Sequence, residues 1–162
     1  MSRQMPPDHE LSAKGMHIAI VAARWNPEIV DQLLQGAQKA LAARNAADVS
    51  VYRCPGAFEL APLAARVARK GGIDGIVALG CLIRGDTDHY RVLTDEVTRS
   101  LGVLALECGT NPRPLAVTFG VLTCETPEQA QERADPRRAN KGGEAALSCV
   151  EQVHALRAVE AG

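Results

Sequence analysis

Aromatic side chains are scarce in this sequence of 162 residues, which has one Trp, two Phe and two Tyr. An aromatic-rich core is therefore excluded, and the interior has to be built from Ala, Val, Leu and Ile. Net charge is also missing: 18 basic residues face 19 acidic ones. That balance gives no electrostatic reason to expect nucleic acid or a membrane surface as partner. No apolar run approaches the ~20 residues that span a bilayer. Residues 1–14 are polar and include Pro6-Pro7, unlike a signal peptide, so the cytoplasm is the expected compartment. The five cysteines (Cys54, Cys81, Cys108, Cys124 and Cys149) are odd in number, far apart and never in a CxxC pair. Neither a disulfide framework nor a zinc site is indicated, and no metal is expected.

What is present is a regular alternation. Apolar β-like runs and amphipathic helical patterns take turns four times, within a length that fits one domain over residues 1–162. Residues 1–16 are expected to form a flexible arm. The first strand is expected over 17–23. Asn26 then reads as an N-cap, Pro27 as the first helical residue, and the helix ends near Arg44. A second strand over 49–52 is broken by Pro55-Gly56. Its helix carries Leu60, Leu63, Ala64 and Val67 and stops at Gly71-Gly72. A third strand is expected over 75–79, followed by a helix from about residue 90. The fourth strand is expected over 115–122. Thr126-Pro127-Glu128-Gln129 reads as a capping box, and a last helix is expected over 145–158. Such βα units imply a mainly parallel four-stranded sheet with helices on both faces.

In sheets of this kind ligands bind beyond the carboxyl ends of the strands. The unusual residues fall there: Arg24-Trp25-Asn26, then 55–59, 80–89 and 119–123. The segment Gly80-Cys81-Leu82-Ile83-Arg84-Gly85-Asp86-Thr87-Asp88-His89-Tyr90 is the richest. Glycine allows close backbone approach, Thr87 adds a hydroxyl, and helix-opening N–H groups suit an anion. The same loop also reads as a plain strand–helix turn with Asp88 as N-cap, and Asp86 brings like charge toward a phosphate. His89 stands where the loop becomes a helix, a setting that suits an imidazole accepting a proton. Trp25 offers a flat face for a heterocycle, or core packing. Glu59 suits several hydroxyls, or a helix dipole. Arg133 and Lys141 are candidates for phosphate pairing.

Together these pieces resemble the 6,7-dimethyl-8-ribityllumazine synthase family. The likeness rests on Ala23-Arg24-Trp25-Asn26, Pro55-Gly56-Ala57-Phe58-Glu59-Leu60, residues 80–90, Phe119-Gly120-Val121-Leu122-Thr123, Glu128-Gln129-Ala130 with Arg133, and Asn140-Lys141-Gly142. It implies a three-layer, flavodoxin-like α/β sandwich. It also implies a transferase of riboflavin biosynthesis that joins 5-amino-6-(D-ribitylamino)uracil to 3,4-dihydroxy-2-butanone 4-phosphate without any cofactor.

By the resemblance, Trp25 stacks on the pyrimidine, where the family has Phe or Trp. Ala57, Phe58 and Glu59 hold the ribityl chain, and Cys81, Leu82 and Ile83 line the ring edge through their backbone. Asp86 and Thr87 bind the phosphate with Arg133, and Lys141 lies nearby. His89 carries the proton, and Phe119 arrives from a neighbouring subunit. Cys81 departs from a common threonine, and Asp86 from Ala or Glu. The implied partners are small-molecule substrates and further copies of the chain, in a pentamer with sites between subunits. A 60-subunit shell is left open by the short 134–139 segment and the proline-containing N-terminus, and riboflavin synthase is a further implied partner. The competing reading on this scaffold is a non-catalytic flavin- or lumazine-binding or shell-forming protein.

Overall fold

The computed structural model describes residues 11–162. Its order is β1 (His17–Ala23), α1 (Pro27–Ala43), β2 (Asp48–Cys54), α2 (Leu60–Lys70) and β3 (Gly75–Ile83), then α3 (His89–Gly109), β4 (Ala116–Cys124), α4 (Pro127–Ala134) and α5 (Lys141–Ala161). The strands form one parallel sheet in the order β2-β1-β3-β4. Helices α1, α4 and α5 share one buried cluster with the sheet, and α2 and α3 share the other. This is the three-layer α/β sandwich expected.

The central strands show why the pattern folds this way. β1 and β3 are apolar on both faces, and Ile18, Ile20, Val21, Ile76, Val77 and Leu79 are fully enclosed. Only a strand covered on both sides can use such continuous apolar sequence.

Several boundaries differ from expectation. β3 runs four residues beyond Leu79, because Gly80, Cys81, Leu82 and Ile83 pair with Val121, Leu122, Thr123 and Cys124 of β4. Gly80, which follows the expected strand end, is therefore still strand. α5 starts at Lys141, four residues before the expected start, with the Asn140 side chain accepting from Gly143 N at 3.2 Å. Gly142 and Gly143 look like helix breakers in sequence, yet they serve close packing. A Cβ at Gly142 would run into the Leu33 carbonyl of α1.

The arm expected over 1–16 is shortened from its C-terminal side. Ala13 and Met16 are buried, and Ala13 N donates to Arg44 O at 2.7 Å. Residues 1–10 of that expectation lie outside the described residues. The capping box at Thr126 forms with a shift: Thr126 Oγ1 accepts from Gln129 N, while Gln129 Oε1 reaches Glu125 N.

Candidate functional site

The carboxyl ends of β1, β2 and β3 meet at a cavity of about 620 Å³. Two short backbone bonds set its first wall. Arg24 N donates to Cys54 O at 2.9 Å, and Trp25 N to Pro55 O at 3.1 Å. They pin the loop after β1 onto the loop after β2 and leave the indole 73% exposed. Gly56 permits this, since a Cβ there would press on Trp25 Cδ1 at 3.3 Å and Glu59 Oε2 at 3.1 Å.

The second wall is a single 3₁₀ turn, Ala57–Glu59. Glu59 Oε2 accepts from Gly56 N at 2.8 Å, which aims the half-buried carboxylate. Phe58 projects to solvent beside it. The third wall is Cys81, Leu82 and Ile83, in the strand extension of β3. Burial, with Cys124 as a lesser cause, pushes the Cys81 thiol up to about 12. At neutral pH it is an uncharged wall rather than a nucleophile. His89, the first residue of α3, closes the cavity together with Leu93.

Beside His89 lies a second cleft, formed by Gly85, Asp86, Thr87 and Asp88 with Arg84 and Arg91. Asp88 holds the N-cap position of α3 but makes no side-chain cap; Thr87 Oγ1 accepts from His89 N at 3.4 Å instead. The cleft thus lies at the start of α3, the end of a helix whose first N–H groups have no intrahelical partner. Arg84 is engaged, lying 3.1 Å from Glu125 and over the Tyr90 ring at 5.5 Å.

Phe119, Arg133 and Lys141 are not in either place. They line a third cleft, of about 430 Å³, along the outer edge of β4 with Thr123, Glu144 and Ser148. Phe119 pairs with Ala78 in mid-strand, so it does not stand at the carboxyl edge where the sequence pattern put it. β4 is an edge strand, and Phe119 is 45% exposed on it. Lys141 Nζ is bonded to Glu144 Oε2 at 2.6 Å, which holds the ammonium in place.

The expected residues thus divide in two. Trp25, Ala57, Phe58, Glu59, Cys81, Leu82, Ile83 and His89 share one cavity, with Asp86 and Thr87 next to it. Phe119, Arg133 and Lys141 stand apart. Sequence reasoning missed Arg91 and Leu93, and it misread Asn26. The Asn26 side chain makes no helix cap, although its backbone carbonyl accepts from Ile29 and Val30. Its left-handed backbone (φ 57°, ψ 56°) aims the amide elsewhere. The signal for Arg91 was its place one turn into the helix after the glycine loop.

The model of the family described as 6,7-dimethyl-8-ribityllumazine synthase matches residues 15–157. A 6,7-dimethyl-8-ribityllumazine synthase of Anaeromyxobacter sp. (strain K) is 46% identical over 151 residues, covering 92% of this chain and 90% of that protein. The synthase of Kineococcus radiotolerans is 44% identical over 161 residues, covering 98% and 96%. That of Chlorobium phaeobacteroides is 44% identical over 149 residues, covering 91% and 93%.

Proposed function

The chain belongs to the 6,7-dimethyl-8-ribityllumazine synthase family, and on that premise we propose how its residues share the work. The enzyme is a transferase of riboflavin biosynthesis. It condenses 5-amino-6-(D-ribitylamino)uracil with 3,4-dihydroxy-2-butanone 4-phosphate to give 6,7-dimethyl-8-ribityllumazine, releasing phosphate and water.

The observation that carries the assignment of roles is the cavity in which Trp25, Glu59, residues 81–83 and His89 meet. The indole supplies the stacking face for the pyrimidine. The Glu59 carboxylate and the Ala57 and Phe58 backbone groups hold the ribityl hydroxyls. The β3 extension offers main-chain donors and acceptors to the ring edge. The loop at Asp86 and Thr87 takes the phosphate through backbone N–H groups and the Thr87 hydroxyl. His89 stands between the two clefts, where the amine of one substrate meets the carbonyl of the other. It moves the protons as the imine forms, phosphate leaves and the ring closes with loss of water. Positioning of the two substrates supplies most of the rate gain, and proton transfer adds about 10²–10⁴-fold.

The enzyme acts on small molecules and self-associates, and we assign it a pentamer with each site shared between neighbours. Phe119, Arg133 and Lys141 form a polar, cationic half-site away from the Trp25 cavity, which supports one copy completing the pocket of the next. Val92, Val103 and Leu106 add an exposed apolar stripe along α3, as a buried helix face in an assembly would need. Assembly into a 60-subunit shell and association with riboflavin synthase extend the same reading.

No helix among the described residues is long and apolar enough to cross a membrane. We place the enzyme in the cytoplasm, consistent with five free thiols. The test is to mix purified protein with both substrates and follow lumazine absorbance and phosphate release. Product above the uncatalysed background, lost in His89→Ala, is expected; activity kept in His89→Ala would remove the histidine from its role.

A further inference from the structure

The rung that ties β1 to β3 stops before the cavity does. Paired residues of these strands run from Ile18↔Gly75 to Ala22↔Leu79, after which β1 turns away into the loop carrying Trp25. β3 continues to Ile83 with β4 on one side and no strand on the other. In this register the N–H that would next reach the Cys81 carbonyl from β1 is that of Trp25, and it is given to Pro55 O. The Cys81 carbonyl is instead met by a side chain: Asn26 Nδ2 donates to it at 3.0 Å, across 55 residues of sequence.

Two features mark this bond as built into the site. Asn26 adopts a left-handed conformation, which costs a non-glycine residue energy but is tolerated best by Asn, and it does so directly before Pro27. The amide could have capped α1, as Asn does at many helix starts, and it makes no such bond. Backbone preference and capping are both set aside in favour of the link to β3. Asn26 and Cys81 also line the same cavity as Trp25 and His89.

We propose that Asn26 is a positioning residue for the pyrimidine substrate: its amide replaces the missing rung between β1 and β3. It thereby fixes the main-chain edge at Cys81, Leu82 and Ile83 against the Trp25 face. The inference rests on the reading of the Trp25 cavity as the pyrimidine site. A carboxamide suits this role because only a donor can meet a carbonyl, and a short side chain loses little entropy in reaching it.

The experiment separates backbone from amide. Asn26→Gly and Asn26→Asp both accept the left-handed conformation, and both lack the donor at neutral pH. Each is expected to raise the KM for ribitylaminouracil roughly ten-fold, the worth of one hydrogen bond of about 1.4 kcal/mol. The KM for the butanone phosphate and kcat should stay within about two-fold. Relative to Asn26→Gly, calorimetric binding of ribitylaminouracil to Asn26→Asp should recover as pH falls from about 6 toward about 4, where the carboxyl gains its proton and with it a donor.

A wild-type KM in Asn26→Gly or in Asn26→Asp at neutral pH would overturn the proposal. So would equal losses for both substrates with a fall in kcat, which would mark general collapse of the loop. Trp25→Ala and Glu59→Gln serve as the control on the underlying assignment. If they raise the ribitylaminouracil KM while Asn26→Gly does not, only the role of Asn26 falls. If they too leave it unchanged, the pyrimidine site is elsewhere and both readings fall.

Discussion

The Trp25 cavity and the cleft along β4 are built in opposite ways. The first is assembled from loops, and its parts are tied by backbone and side-chain hydrogen bonds: Trp25 to Pro55, Glu59 to Gly56 and Asn26 to Cys81. The second stands on rigid elements. Lys141 opens a helix held against α1 by close glycine packing, and Phe119 sits in mid-strand. The ring-shaped substrate needs a pocket whose walls are set from several strand ends at once. In the proposed assignment the anion meets two cations on fixed elements, Lys141 at the start of α5 and Arg133 in the last turn of α4. The two regions differ in chemistry as well as in construction, so each can be damaged while the other is spared.

The deepest cut is at His89, where the Trp25 cavity borders the cleft of Asp86 and Thr87. His89→Ala should lower kcat by about 10²–10⁴-fold with both KM values little changed, read by steady-state kinetics. A matching rise in either KM would make His89 a binding group rather than the proton carrier.

Next is the packing beneath the cationic cleft. Gly142→Ala forces a Cβ onto the Leu33 carbonyl and should cost about 1–3 kcal/mol in urea unfolding. The loss of fit should raise the KM for the butanone phosphate and spare that for ribitylaminouracil. An unchanged unfolding midpoint would mean that α1 and α5 have room to separate.

Single-contact losses come third. Arg133→Ala should raise the KM for the phosphorylated substrate by roughly ten-fold, and Trp25→Ala the KM for ribitylaminouracil by a similar factor. Mixing the two variants under conditions of proven subunit exchange, at substrate concentrations below the raised KM values, should lift activity above the mean of the two alone, because some sites then draw an unaltered half from each copy. No recovery would return both regions to one chain.

The smallest effect tests the neutral wall. Cys81 and Cys149 are both pushed up to about 12 from 9.0 by burial. A raised thiol pKa in the folded state stabilises below the unfolded value, and the contribution is lost as pH rises from about 9 toward about 12. At about pH 10 each should cost on the order of 1 kcal/mol of unfolding free energy. Comparison with the Cys81→Ala, Cys149→Ala variant isolates the contribution of these two thiols. Equal alkaline losses in both proteins would show that these thiols ionise as readily folded as unfolded.

The sequence pattern foretold the sheet well because β1 and β3 are apolar without interruption and each helix begins or ends at Pro or Gly. The errors sit where tertiary packing overrides local preference. Gly142 and Gly143 look like breakers, but each lies where a neighbour comes too close for a Cβ, and at Gly80 a Cβ would stand a tight 3.1 Å from Leu60 Cδ1. Of the candidate site, the strand-end residues were legible by position alone. Phe119 was misplaced because a run ending near 122 hid the two further residues of β4. Asn26 was misread for a different reason. Asn before Pro at a helix start is common chemistry for a cap, and only the distant Cys81 carbonyl tells otherwise.

The single tryptophan, held in the open by two backbone bonds at the mouth of the cavity, also makes the protein its own spectrometer. Every photon of indole emission originates at Trp25, so no other site contributes background. A ring laid on that indole would dim the whole signal, and a neighbouring copy closing over it would shift the emission to the blue. Occupancy and assembly could then be followed by ultraviolet fluorescence, without a label and in the unmodified chain.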